Sequence, residues 1–142
     1  MEIDRNGLEV LERAESLRLL ASATVGRISV TSGALPTVLP VAFRVIDGRI
    51  VFRTAPGTKL DAATLNAVVA FEADRIDTAA HTGWSVVVVG VAQAVRDDEV
   101  DGHELALMAR WAPGPRDRLV AISTEMVTGR RLRPAVVPAR LA

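Results

Sequence analysis

The chain has no cysteine, so neither a disulfide framework nor a thiolate metal site is open to it. It has no charge imbalance. Lys plus Arg and Asp plus Glu stand at 17 each, so no net charge draws it to nucleic acid or to a membrane, and neither partner is expected. No apolar run approaches the roughly 20 residues that cross a bilayer. The start, Met1-Glu2-Ile3-Asp4-Arg5, lacks the cationic and apolar regions of a signal peptide, and a cytoplasmic protein is expected. Aromatic residues are scarce, at 4%, which singles out Phe43, Phe52, Phe71, Trp84 and Trp111. Two common nucleotide-binding patterns are also missing: GxGxxG after a first strand, and GxxxxGK followed by Ser or Thr.

What is present is ordinary for a folded chain: 49% hydrophobic and 24% charged residues over 142 positions, enough for one domain with one core. Residues 1–142 read as a single domain, with 1–8 and 132–142 as peripheral tails. Valine and alanine dominate the apolar set, and valine's branched side chain favours strands.

Residues 9–21 carry leucines at helical spacing and predict a helix that caps a sheet. Residues 25–31 alternate as a half-buried strand does, and Ser32-Gly33 is a turn. Residues 35–46 predict a second strand containing Pro36 and Pro40, with Pro40 as a possible bulge. Asp47-Gly48 signals a hairpin into a third strand over 49–54. A short helix follows over 58–65, a fourth strand over 67–74, and a polar loop over 75–82. The valine-rich stretch 84–95 is the longest strand. Its unbroken valines predict burial on both faces, inside a barrel or at a subunit interface. A helix over 97–108 capped by Asp97 or Asp98, a Pro-Gly-Pro loop at 111–117, a sixth strand over 118–128 and an irregular tail from Gly129 complete the chain. Six strands with hairpin links predict a mainly β fold, an antiparallel barrel with a few short helices.

The organising stretch runs from Ile50 to Leu60. Arg53, Thr54, Thr58 and Lys59 crowd the point where strand gives way to helix. Cations and hydroxyls beside a helix start suit a dianionic phosphate. A solvated turn with two surface cations is the alternative, and Thr58 also fits a simple N-cap. No residue stands out as an acid, base or nucleophile, which is compatible with chemistry done by a cofactor.

Three blocks resemble the pyridoxamine 5′-phosphate oxidase-like flavin-binding split barrels, in particular their short actinobacterial-type members. The blocks are Val38-Leu39-Pro40-Val41-Ala42-Phe43, then Val51 through Leu60, then Thr82-Gly83-Trp84-Ser85-Val86 with Gly90. The resemblance spans residues 12–131. It implies a six-stranded split barrel that works as a homodimer, with FMN at the interface and a small planar substrate. Val38, Leu39, Pro40, Val41 and Phe43 would line the ring. Arg53, Thr54, Thr58 and Lys59 would hold the phosphate. Trp84 and Ser85 would sit beside the flavin, although Trp84 also suits a core. Trp111 would close over the ring at the substrate side, or plug the barrel. The activity implied is oxidoreduction. Apolar Val38 and Phe43, where oxidases of the parent family carry basic residues, argue against pyridoxamine phosphate itself as substrate. They leave a deazaflavin-dependent reductase, or a non-catalytic flavin- or haem-binding protein, as alternatives. No metal is expected.

Overall fold

Two mirror-image turns set the first half of the sheet. The computed structural model describes residues 1–108 and 118–134. Strands β3 (Val25–Ser32) and β4 (Leu35–Ala42) are joined by Gly33-Ala34, and β5 (Arg44–Ile46) and β6 (Arg49–Thr54) by Asp47-Gly48. All four turn residues have positive φ, between 52° and 75°, as two-residue hairpins require. The expected second strand is thus two strands. β4 pairs with β3, β5 pairs with β6, and the chain changes partners at Phe43.

β7 (Val68–Asp77) joins β3 on one side and runs antiparallel to the whole length of its hairpin mate up to Val91 of β8 (Thr82–Val95). The other edge of β8 carries β10 (Met126–Leu132) along its first half and β9 (Arg118–Ile122) along its last residues. β9 returns to β6. The circuit β3, β4/β5, β6, β9, β8, β7 is the six-stranded antiparallel barrel read from the sequence, split instead of closed. β4 ends its sheet, with no partner on its far edge among the described residues. The changeover along β8 lies at Gly90, where a Cβ would stand 2.7 Å from the Ser123 carbonyl oxygen. A side chain there would force the β9–β10 link away from β8.

Several boundaries differ from the sequence expectation. Helix α1 covers only Arg13–Ser22, because Glu9–Leu11 forms strand β2 instead. β2 pairs with β10, so the tail from Gly129 is strand through Leu132, and β1 (Glu2–Ile3) adds one more edge. The first residues are peripheral but tethered: Arg130 donates to Asp4 at 2.9 Å. The polar stretch expected as a loop over 75–82 narrows to a turn at 78–81 between β7 and β8, in which Asp77 accepts from Ala79 and Ala80. The helix expected over 97–108 is a single 3₁₀ turn (Asp97–Glu99) and a short α-helix, which we number α3 (Gly102–Ala106). Asp101, not Asp97 or Asp98, caps α3, accepting from His103 and Glu104. Pro40 makes no bulge, for β4 keeps an unbroken register with β3. Its proline ring is tolerated because odd-numbered residues of this segment address β3, as Phe43 shows by donating to Thr24, while Pro36 and Pro40 address the empty edge. The Pro-Gly-Pro loop and Trp111 lie outside the described residues.

The core fills the barrel. Ile28, Phe52, Phe71, Val86, Val88, Val120 and Ile122 are fully buried, and Leu19 and Leu20 of α1 close one end. Phe43 meets Phe71 edge to face, with centroids 4.7 Å apart. Removing one such ring costs about 3–5 kcal/mol. Burial of Val86 and Val88 covers one face of the valine strand, while Val87, Val89 and Val91 face outward and are only partly covered within one chain.

Candidate functional site

The strand-to-helix turn is built around a residue that sequence reasoning missed. Thr58 caps helix α2 (Lys59–Thr64), accepting from the Asp61 N–H at 3.2 Å and donating to the Ala55 carbonyl. Asp61 is 4% exposed. Its carboxylate accepts from the Thr54 hydroxyl at 2.8 Å and from the Gly57 N–H at 3.0 Å, and Arg118 Nε stands 2.9 Å away. Burial alone would raise the Asp61 pKa. The hydroxyl, the amide and the guanidinium outweigh it and hold the carboxyl below its ordinary range. The available signal was Thr58-x-x-Asp61, a capping-box spacing, here aimed one residue upstream at Gly57.

Thr54 is therefore a buried donor to Asp61, not an open ligand, and Thr58 is a cap with an exposed hydroxyl. Arg53 and Lys59 supply the cations. Lys59 is exposed, and Arg53 lies 3.5 Å from the exposed Asp97 carboxylate. Arg118 joins them because β9 pairs Thr54 with Arg118, a register no local pattern reveals. Its Nε–H misses the Asp61 oxygen in angle. Among the described residues it is the one buried side-chain nitrogen or oxygen without a hydrogen bond. Three cations against two carboxylates, Asp61 and Asp97, leave the turn net positive, with Arg53 on the opposite face of β6 from Thr54.

A second group of residues lies on the outer face of β4, β3, β7 and β8. Here an open cavity of about 330 Å³ is lined by Arg27, Ser29, Val38, Glu72, Asp74 and Val87, within the size range of small-molecule sites. Sheet register explains the set. Arg27 stands opposite Glu72, Glu72 opposite Val87, and Asp74 opposite Ser85. One guanidinium nitrogen of Arg27 faces two carboxylates, Glu72 at 3.3 Å and Asp74 at 3.5 Å. Ser85 donates to the other Glu72 oxygen at 3.0 Å. Partial burial and the neighbouring Asp74 carboxyl raise the Glu72 pKa to about 7, against the pull of Ser85 and Arg27.

The cofactor-lining residues read from the sequence divide between surface and core. Val38 and Pro40 are on the outer face, Val38 lines the cavity, and Ser85 reaches it through Glu72. Leu39 packs against the core, and Val41, Phe43 and Trp84 belong to it. Their side chains alternate inward on the pleat, so the packing reading of Trp84 is the one the fold adopts. Arg53 pairs with Leu119, which pairs with Val95 of β8. Ser85 is ten residues back along that strand, about 33 Å at the usual rise. The turn and the cavity are thus distinct places within one chain. Among the described residues no cluster of His, Asp and Glu could hold a metal ion, and no helix is long and apolar enough to cross a membrane.

The sequence pattern of the family described as pyridoxamine 5′-phosphate oxidase matches residues 12–131. An uncharacterized protein of Mycobacterium tuberculosis is 42% identical over 127 residues, covering 86% of this chain and 84% of its own. The structure of the FAD binding protein from Mycobacterium smegmatis superposes with a TM-score of 0.70 at 37% identity, covering 87% of this chain and 97% of that one. A conserved protein of unknown function from Corynebacterium diphtheriae gives 0.70 at 36% identity, over 88% and 98%.

Proposed function

The chain belongs to the pyridoxamine 5′-phosphate oxidase family, and from that premise we propose that it is a cytoplasmic, homodimeric flavin-binding oxidoreductase acting on a small planar substrate. The reading rests on two features, a net positive turn and an apolar-floored cavity on the outer sheet face, which a second copy of the chain would bring together. A flavin phosphate needs the first and a flavin ring the second. Arg53, Lys59 and Arg118 would hold the phosphate, and Val38, Ser29, Glu72 and Val87 would line the ring. The name of the mycobacterial FAD-binding relative supports a flavin. FMN and FAD share the ring and first phosphate that these residues address, and FMN is the form proposed. When bound, the flavin supplies hydride transfer; the chain's residues bind, orient and exclude water.

The proposed dimer would use the same face. Val38, Val68 and Met126 are each more than 60% exposed and lie outward on β4, β7 and β10, with Val91 beside Val68. Within that sheet, one cross-strand row runs Val38, Ser29, Ala70, Val89, Met126. A second copy packed there would bury this apolar row and bring its own cations to the neighbour's cavity, bridging the separation seen within one chain.

The test is flavin retention through a sizing column that also reports mass. The wild-type chain elutes at dimer mass with FMN absorbance. Arg53→Ala combined with Lys59→Ala stays dimeric and loses FMN affinity about 10–100-fold or more, as expected for charge-assisted bonds. Unchanged retention in that variant overturns the phosphate assignment, and tighter retention of FAD or a deazaflavin than of FMN overturns the choice of cofactor. A monomer overturns the shared site.

A further inference from the structure

We propose that the Glu72–Asp74 carboxyl pair, holding one proton between its two members, recognises the edge of an uncharged cyclic amide or imide in the cavity, offering an O–H to a ring carbonyl and an oxygen to the adjacent ring N–H. The proposal deepens the flavin reading and rests on it, because a flavin's pyrimidine edge carries that pattern.

The argument begins with a charge count. Two carboxyls converge on a single guanidinium nitrogen, at 3.3 and 3.5 Å. Their side chains are 29% and 28% exposed, so solvent screens the two negative charges only in part. Like-charged carboxyls in one site do not both ionise readily. No other cation relieves them. From β4 the pair faces Pro40 and Val38, and from β8 it faces Ser85 and Val87. The next strand, β10, offers Arg130 beyond Ser85, and that guanidinium is committed to Asp4 at 2.9 Å. Arg27 is the sole cation facing the pair among the described residues. Glu72 therefore keeps its proton to higher pH than an isolated carboxyl does, in keeping with its raised pKa of about 7.

The placement gives that proton a use. Glu72 and Asp74 form the polar wall of a cavity whose other walls include Val38 and Val87. A flat apolar ring can lie on the valines only if its polar edge is met, since an unpaired buried donor or acceptor costs more than a hydrogen bond gains. A fully ionised pair accepts and cannot donate, so it would oppose a ring carbonyl. A pair with one proton does both. Ser85, hydrogen-bonded to Glu72 Oε2, positions the carboxyl.

The probe is riboflavin, followed by fluorescence quenching on the purified chain. It lacks a phosphate, so neither the cationic turn nor the phosphate's own titration near pH 6 contributes. Wild-type affinity is expected to fall about tenfold or more as pH rises through neutrality. Glu72→Gln, which keeps one donor and one acceptor, retains the acidic-side affinity and abolishes the pH dependence. Asp74→Asn removes the like charge, lets Glu72 ionise sooner, and moves the midpoint to lower pH. Glu72→Ala binds weakly at every pH. Circular dichroism confirms that each variant is folded. Riboflavin binding that is flat with pH in the wild type, or a midpoint unmoved by Asp74→Asn, overturns the proposal. FMN binding that persists alongside such a result leaves the flavin reading standing. Failure of both riboflavin and FMN to bind at any pH overturns the two together.

Discussion

Asp61 and Glu72 are both partly or fully buried carboxylates beside an arginine, yet the structure drives them in opposite directions. Asp61 stands alone among donors: a hydroxyl, a backbone amide and a guanidinium. Glu72 shares its guanidinium with a second carboxyl. The first is held ionised and ties a turn together; the second has its proton affinity raised at the wall of a cavity. Depth of burial does not decide the outcome, since the more buried group is the more acidic. The balance of donors against like charge decides it.

The contrast can be broken most forcefully at the turn. Asp61→Ala strands Thr54, Gly57 and Arg118 together. It is expected to cost about 3 kcal/mol of stability in urea denaturation, toward the lower end for a broken buried pair because Arg118 is partly solvated. A loss under about 1 kcal/mol would show that the carboxylate does not organise the turn.

A smaller effect separates the two carboxyls by pH. The Asp61 pKa is lowered, so its contribution is present above the ordinary value of 3.8 and disappears as pH falls through the folded value. The Glu72 pKa is raised, so its contribution is full below the ordinary 4.5 and is lost as pH rises through about 7. Denaturation midpoints should decline between those values in the wild type and lose that component of the decline in Glu72→Gln. Parallel profiles would remove the proton from the argument. The smallest expected change is Thr58→Ala, at about 1 kcal/mol for a lost N-cap. A much larger loss of flavin affinity than of stability in that variant would give the hydroxyl a binding role beyond capping.

Much of the barrel was legible in the sequence because its signals are local. Asp47-Gly48 demands a hairpin, alternation marks β3, and the valine run marks β8. Two of the failures are non-local. Glu9–Leu11 reads as helix until β10 pairs with it, and residues from Gly129 read as irregular until β2 and β8 take them up. Gly129 is needed there because a Cβ would lie 2.2 Å from Ser16 Oγ, a contact between segments far apart in the chain. The candidate site divides the same way. Arg53, Thr58 and Lys59 were visible from their crowding, and Asp61 had a spacing signal. Arg118, Arg27 and the Glu72–Asp74 pair meet only through strand register. Residues named from the flavin-family resemblance alternate between faces, so Val38 and Ser85 reach the cavity while Phe43 and Trp84 fill the core.

The prolines of β4 have a consequence for how this chain can assemble. Of the backbone positions aimed at the vacant edge, Pro36 and Pro40 have no N–H to give. A strand arriving from another molecule would find a broken ladder and could not be extended in its turn. Edge-to-edge growth, the route to open-ended fibres, is closed, while the flat valine face remains available. The two-fold stack proposed above would use that face and leave no edge from which a fibre could grow.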